Sequence, residues 1–315
     1  MFNEHYAIGI DVGGTKIAAG LVDLATGAVL AKHVVPTQPG RTGSVVLSVV
    51  AGLAQEMLTE AQSKQCTVLG IGVGVCELVD LHGNITSDFT MAWKGIPVQR
   101  VLSQLAPAVV EADVRAHALA EARYGAGRAY DLFAFIAVGT GISSCWVQHG
   151  VPFAGARGNA LVLSTAALTV PLEEGSGTIS HVMETYASGP ALAQRYGRGA
   201  SRAEAVFAAA EAGDVNAKFV LESAGASLGN SVAFLANVLD PEAIVVGGGL
   251  GAASGLYWDS FVEATRQHIW SEDTKMLPIV QASLGPDAGL IGAAARVGQL
   301  RTSGPNCAQA EVHSS

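Results

Sequence analysis

Tyr6-Ala7-Ile8-Gly9-Ile10-Asp11-Val12-Gly13-Gly14-Thr15-Lys16 is an apolar run that stops at an acid and two glycines. The apolar pattern resumes as Ile17 to Val22, turns at Ala25-Thr26-Gly27 and continues as Ala28 to Val35. Three β-rich segments joined by tight turns predict an antiparallel meander. The Asp-x-Gly-Gly turn has two readings. It is ordinary hairpin chemistry. It is also a loop whose unshielded N–H groups can converge on phosphate oxygens. In that case Asp11 offers a hard oxygen, directly or through water, to the Mg²⁺ that accompanies a nucleoside triphosphate. The spacing is not that of a P-loop.

Further along, Val45 to Ala61 has apolar residues at helical spacing, and Thr67 to Val75 reads as a buried strand. Gly70, Gly72 and Gly74 in that strand would let another backbone or a ligand approach closely. Val109 to Glu111 is a short strand and Val114 to Tyr124 a helix. A second round then begins: Asp131 to Val138 is an apolar strand, Gly139-Thr140-Gly141 a turn, and Ser143 to Gln148 a second strand. Ala-rich helices follow around 191–196, 202–212 and 217–239. The strand Ala243 to Val246 runs into Gly247-Gly248-Gly249, and the last helix spans Ala288 to Gln299. Two α/β halves, each opening strand, glycine turn, strand, predict a duplicated fold with a cleft between the lobes. Ligands of such folds bind at strand ends. The expected division is residues 1–115, completed by helix 288–300, then 116–287, with 301–315 a disordered tail.

The 315 residues are half hydrophobic but only 6% aromatic and 14% charged, a composition that buries a large aliphatic core. A net charge of -9 lacks the electrostatic footprint of a nucleic-acid binder. Four dispersed cysteines without a CxxC pair point to reduced thiols. No basic leader precedes Tyr6, and no uninterrupted apolar stretch reaches membrane-spanning length. The expectation is a soluble cytoplasmic protein with neither membrane nor nucleic-acid partners.

Asp113 follows a short strand and begins a helix. An acid there is an N-cap or, facing a ligand, a general base for a substrate hydroxyl. Together with Gly9 to Lys16, Gly70 to Val75, Trp93-Lys94-Gly95, Ala118 to Glu121, Gly125 to Gly127, Val138 to Ile142, Glu184 to Gly189 and Leu239 to Gly249, it gives the sequence its likeness. The sequence resembles the ROK family of bacterial sugar kinases and repressors, within the hexokinase/actin-like ATPase fold, over about Ala7 to Gly298. The resemblance implies a two-lobed actin-like (ribonuclease H-like) α/β fold, a dimer, and an ATP-dependent kinase using Mg²⁺. It implies Asp11, Gly13, Gly14, Thr15 and Lys16 as the first phosphate loop and Gly139, Thr140 and Gly141 as the second. It places Gly247, Gly248 and Gly249 beside adenosine and makes Asp113 the base. Gly158, Asn159 and Glu184 fall in substrate-binding segments.

The departures from the family pattern concern the sugar. Where the family has the Glu and His of Gly-Glu-x-Gly-His, Val162 and Thr165 stand here, and Gly175 to Met183 lacks the cysteines of the family's zinc motif. No zinc is therefore expected. The Asn before Asp113 is Ala112, Pro-Gly after the glycine-rich strand is Cys76-Glu77, and the Asn ahead of the Trp is Phe89. A pocket stripped of polar groups no longer matches a full ring of hydroxyls. The implied acceptor is an amino sugar such as kanosamine, its ammonium paired with Glu77 or Asp88, or a C7-cyclitol such as a valiolone. The alternatives are a non-catalytic sugar-binding member and an ordinary glucokinase or N-acetylhexosamine kinase. A repressor would need a DNA-binding domain ahead of the first strand.

Overall fold

The computed structural model describes residues 5–37, 40, 42–160, 162–171 and 178–302. Two compact units emerge: one holds the chain through Tyr124, Ala154–Ala160 and everything from Pro286, the other Gly125–Phe153 and Leu161–Gly285. The boundary thus falls after helix Asp113–Tyr124, which stays with the first sheet instead of opening the second lobe. The tail at 303–315 lies outside the described residues.

In the first unit, β1 (Tyr6–Val12), β2 (Lys16–Asp23), β3 (Val29–Pro36), β4 (Val68–Val75) and β5 (Ala108–Ala112) form one sheet in the order β3-β2-β1-β4-β5. The hairpin strands pair antiparallel, while β1, β4 and β5 run parallel. Strand alternation sends Ile8, Ile10, Val12, Ile71, Val73 and Val75 into a core with Val46, Val50, Leu53 and Met57 of helix Gly43–Ser63. The opposite face is built of small residues. A Cβ at Gly9 would lie 1.8 Å from the Leu290 carbonyl oxygen, and one at Gly72 1.8 Å from that of Ala293. Gly9 and Gly72 therefore serve the backbone of helix Ala288–Thr302, which lies directly on the sheet, while Gly70 makes room for the Pro107 carbonyl.

In the second unit, β6 (Leu132–Val138), β7 (Ile142–Gln148) and β8 (Val151–Pro152) precede a two-stranded sheet of β9 (Ala167–Pro171) and β10 (Thr178–Val182). After these come β11 (Ala243–Gly247) and β12 (Ile279–Gln281). The main sheet has the order β12-β11-β6-β7-β8, with β6, β11 and β12 parallel and the hairpin antiparallel. Element for element, this repeats the first sheet. Its core packs Ile136, Val138, Ile244 and Val246 against Leu221, Leu228 and Val232 of helix Val215–Leu239. That helix meets helix Leu256–His268 at Gly225 and Gly229, where a Cβ would come within 2.2 Å and 2.5 Å of the Tyr257 and Phe261 carbonyl oxygens. Helices 43–63 and 215–239 are long and apolar enough to cross a bilayer by length and composition, but each turns buried residues into its own unit's core.

Candidate active site

Strand register brings the predicted residues of the first unit to one sheet edge. Val12 pairs with Val75 and Val75 with Ala112, so the chain leaves β1, β4 and β5 level, with neighbouring strands about 4.8 Å apart. Gly13, Cys76-Glu77 and Asp113 follow those three exits. Carboxyl ends of parallel strands are where open α/β sheets bind ligands.

The β1–β2 turn closes through the Gly13 N–H donating to the Lys16 carbonyl at 3.0 Å. Thr37, buried at the end of β3, braces it: its hydroxyl donates to the Gly13 carbonyl at 2.8 Å and its N–H to that of Thr15 at 3.0 Å. Neither Gly13 nor Gly14 has positive φ, so the turn does not need glycine for its backbone conformation. What the glycines give is bare N–H groups; Gly14, Thr15 and Lys16 are exposed. Behind the turn, Asp11 lies against the first turn of helix 288–302, where a Cβ on Gly289 would come 2.6 Å from the Asp11 carboxyl carbon.

Asp113 heads its helix with a carboxylate oxygen 2.6 Å from the Val114 N–H. Burial pushes its carboxyl up to about 6; the charges of Asp11 and Glu77 add to the rise, and His117 and the Val114 N–H oppose it. Burial also raises Asp11, against His117 and Lys16. His117 lies one helical turn after Asp113, its Nδ1 2.8 Å from the Asp113 carbonyl oxygen. An acid and a histidine four apart at a helix start are the sequence signal that places it there. The Cys76 thiol, pushed up to about 12 by burial and by Asp113 and Glu77, is no nucleophile at neutral pH.

Two assigned substrate residues of this unit turn out to be structural. Glu77 is 6% exposed and accepts from Ser87 Oγ at 2.5 Å and from the N–H groups of Phe89, Thr90 and Met91 at 2.9, 2.6 and 2.9 Å. Both oxygens are engaged, so it holds a loop and is not the partner of a substrate ammonium. Gly158 is buried with φ 82°, and a Cβ there would sit 2.0 Å from the Val79 carbonyl oxygen. Its own carbonyl accepts from Arg115 at 2.7 Å, while Arg115 also donates to Val79 and pairs with Glu111. Gly158 therefore packs against protein, leaving Asn159 exposed beside it. Asp88 is exposed as well.

In the second unit, Ala137 pairs with Gly247, which sets Gly139 beside Gly249; a Cβ on Gly139 would be 3.6 Å from the Gly249 nitrogen. The predicted second phosphate turn and the adenosine cluster are thus one patch. The Gly139 carbonyl accepts from the Gly189 N–H at 2.8 Å. Glu184 accepts from the Ile142 N–H at 2.8 Å and lies against Gly141, bracing the turn. Thr140 is exposed. Of the three later glycines, Gly247 packs on Phe135, and Gly248, with φ 83°, faces the Val138 carbonyl. Gly249 alone of the three has nothing within 4 Å of a Cβ position. Position 165 ends a short 3₁₀ turn, Leu163–Thr165, and Val162 is 42% exposed. Residues 172–177, which include the first three of the stretch Gly175 to Met183 expected to lack zinc ligands, lie outside the described residues, whereas His181 stacks against Tyr186 at 5.4 Å. Among the described residues no cluster of three or more His, Cys, Asp or Glu side chains could hold a metal ion.

The ROK family model matches residues 7–299. The chain is 33% identical over 297 residues to the bifunctional enzyme NanE/NanK of Brucella melitensis, covering 91% of this chain and 53% of that one. It thus spans about half the length of those bifunctional relatives. It is 28% identical to the glucokinase of Halalkalibacterium halodurans, covering 92% of this chain and 94% of that protein. The ROK family glucokinase of Streptomyces griseus, solved in complex with glucose and AMPPNP, superposes with TM-score 0.77 at 26% identity, covering 94% of this chain and 100% of that one. The two repeated sheets are the mixed α/β arrangement of ROK sugar kinase structures, the actin-like ATPase fold. By a match that runs through both units, the chain belongs to the ROK family.

Proposed function

We propose that the chain is an ATP-dependent kinase that transfers the γ-phosphoryl group to a hydroxyl of a sugar or sugar-like polyol. The observation that carries this reading is Asp113: a carboxylate raised to about 6, level with a glycine turn of bare amides, at the carboxyl edge of a parallel sheet. That value lets it be ionised at neutral pH yet basic enough to accept a hydroxyl proton. Asp113 takes that proton as the acceptor oxygen bonds to the γ-phosphorus and the bond to the β-phosphate oxygen breaks, releasing ADP. The exposed amides of Gly14 to Lys16 and the Lys16 ammonium hold phosphate oxygens, in a turn closed by the Gly13 N–H. In the second unit Gly139 to Gly141 are the second phosphate turn, and Gly249, on the same patch, is where an adenine base can lie on backbone. Asp11 would hold Mg²⁺, which when bound neutralises phosphate charge; a half-buried carboxylate beside the turn suits a hard cation. The protein acts as a cytoplasmic homodimer.

For the acceptor, the reading is an amino sugar such as kanosamine or a C7-cyclitol, ahead of glucose. Its support is the small or apolar character of Ala112, Phe89 and Val162, and with Glu77 engaged by its loop the exposed Asp88 is the acid left for an ammonium. Glucose phosphorylation is the second reading, favoured by the relatives named glucokinase. An ADP-release assay over hexoses, N-acetylhexosamines, amino sugars and cyclitols decides. The acceptor with the highest kcat/KM identifies the class; nucleotide binding without turnover on any acceptor marks a binding-only member.

A further inference from the structure

A buried carboxylate that collects four hydrogen bonds from a single five-residue stretch is a mechanical part. Glu77 leaves β4, and the chain makes a small hairpin, with Val79 bridged to Ile85 and Asp80 capping its turn through Asn84. It returns at Ser87 to Met91, where the two Glu77 oxygens take the Ser87 hydroxyl and three consecutive N–H groups. Ser87 Oγ in turn accepts from the Leu78 N–H at 2.8 Å. The loop so fixed reaches the first glycine turn: a Cβ on Gly14 would lie 3.2 Å from the Thr90 methyl, and the Thr90 hydroxyl donates to the Cys76 carbonyl at 3.5 Å.

We propose that Glu77 is a positioning residue whose carboxylate holds the loop Ser87–Met91 as a backstop for the Gly13–Gly14 turn, with the Thr90 methyl as the contact. The inference rests on the reading of that turn as the phosphate loop. Only a carboxylate fills the role. A Gln amide must aim its NH₂ at one of the two donor sets, leaving unpaired either the Phe89 N–H or those of both Thr90 and Met91, because only the Ser87 hydroxyl can turn round to accept. The loss of a hydrogen bond to a buried charged group is the kind of change that moves a loop.

The test combines Glu77→Gln, Glu77→Asp and a double-mutant cycle of Gly14→Ala with Thr90→Ser. Readouts are the KM for ATP, kcat, and AMPPNP affinity by calorimetry, which needs no acceptor. Glu77→Gln should weaken AMPPNP and raise the KM for ATP by about tenfold, the scale of one such hydrogen bond, with Glu77→Asp recovering part of it. Gly14→Ala alone should weaken AMPPNP, and adding Thr90→Ser, which removes the crowding methyl, should restore it. Unchanged nucleotide affinity in a folded Glu77→Gln protein, or a cycle in which Thr90→Ser gives Gly14→Ala no relief, would overturn the proposal. If Glu77→Gln does not fold, the cycle decides alone. Wild-type protein that binds AMPPNP but phosphorylates nothing would sink the kinase reading while leaving this test intact.

Discussion

The two sheets share one strand order but carry different chemistry at the same edge. In the first unit the strand exits hold Asp11, Glu77 and Asp113, and burial has lifted the proton affinity of Asp11 and Asp113. In the second the corresponding exits hold Gly139 and Gly247 to Gly249, with Glu184 the acid at hand and engaged by the Ile142 N–H. Both copies present backbone amides at a glycine turn, and the first adds carboxylates beside them. Amides suit a polyanion or a flat base, and proton transfer needs the added carboxylate.

The largest expected effect tests that division directly. Asp113→Asn should leave nucleotide binding nearly intact and lower kcat at least about a hundredfold; an unchanged kcat would remove Asp113 as the base. Next comes pH. The base works only when ionised, so kcat should climb with pH through about 6 and level off above it. Rate measurements between pH 5 and 8 (roughly the span either side of that value) would show a flat profile if another group were the base.

A third pair of variants separates fold from ligand contact in the second unit. Gly248→Ala puts a side chain at φ 83° and within 2.3 Å of the Val138 carbonyl, and should cost at least about 2 kcal/mol in thermal or denaturant melts. Gly249→Ala meets nothing, sits in a short helix and should leave stability unchanged or raise it by about 0.5–1 kcal/mol, while weakening nucleotide binding. Equal nucleotide affinity would take Gly249 out of the base site.

The smallest effect returns to Asp113 through stability. Its folded pKa is raised from 3.8 to about 6, so the folded protein holds a proton that the unfolded chain has released between those values. Stability from the protonated form is therefore lost as pH rises through about 6. Asp113→Asn, which cannot ionise, should melt higher than wild type at pH 7.5, by on the order of 1 kcal/mol, and the gap should close toward pH 4.

How much of this the sequence carried depends on the reach of each contact. The hairpins, the parallel strands and their glycine turns rest on local periodicity, and the repeat was visible as strand, turn, strand twice over. Strand β12 has three residues, too few for a period to show. Helix Leu256–His268, not among the helices expected from the sequence, does carry a helical pattern, with Tyr257, Phe261, Ala264 and Thr265 buried. Residues 154–160 join the first unit through Arg115 and the Val79 backbone, 43 and 79 residues from Gly158 in sequence, contacts that leave no local trace. Asp113 could be placed by its strand-to-helix position. The work of Glu77 could not, because a lone acid at a strand end looks the same whether it faces a ligand or a loop that returns ten residues later.

Helix 288–302 comes last among the parts of the first unit, yet Gly9 and Gly72 are shaped to lie under its carbonyl groups. During synthesis, one face of β1 and β4 waits for a helix that begins more than two hundred residues after β4 ends. The second sheet gains its last strand at Gln281, only seven residues before that helix begins. Both units therefore close late in the chain, the first by laying a helix on its glycine face and the second by adding an edge strand.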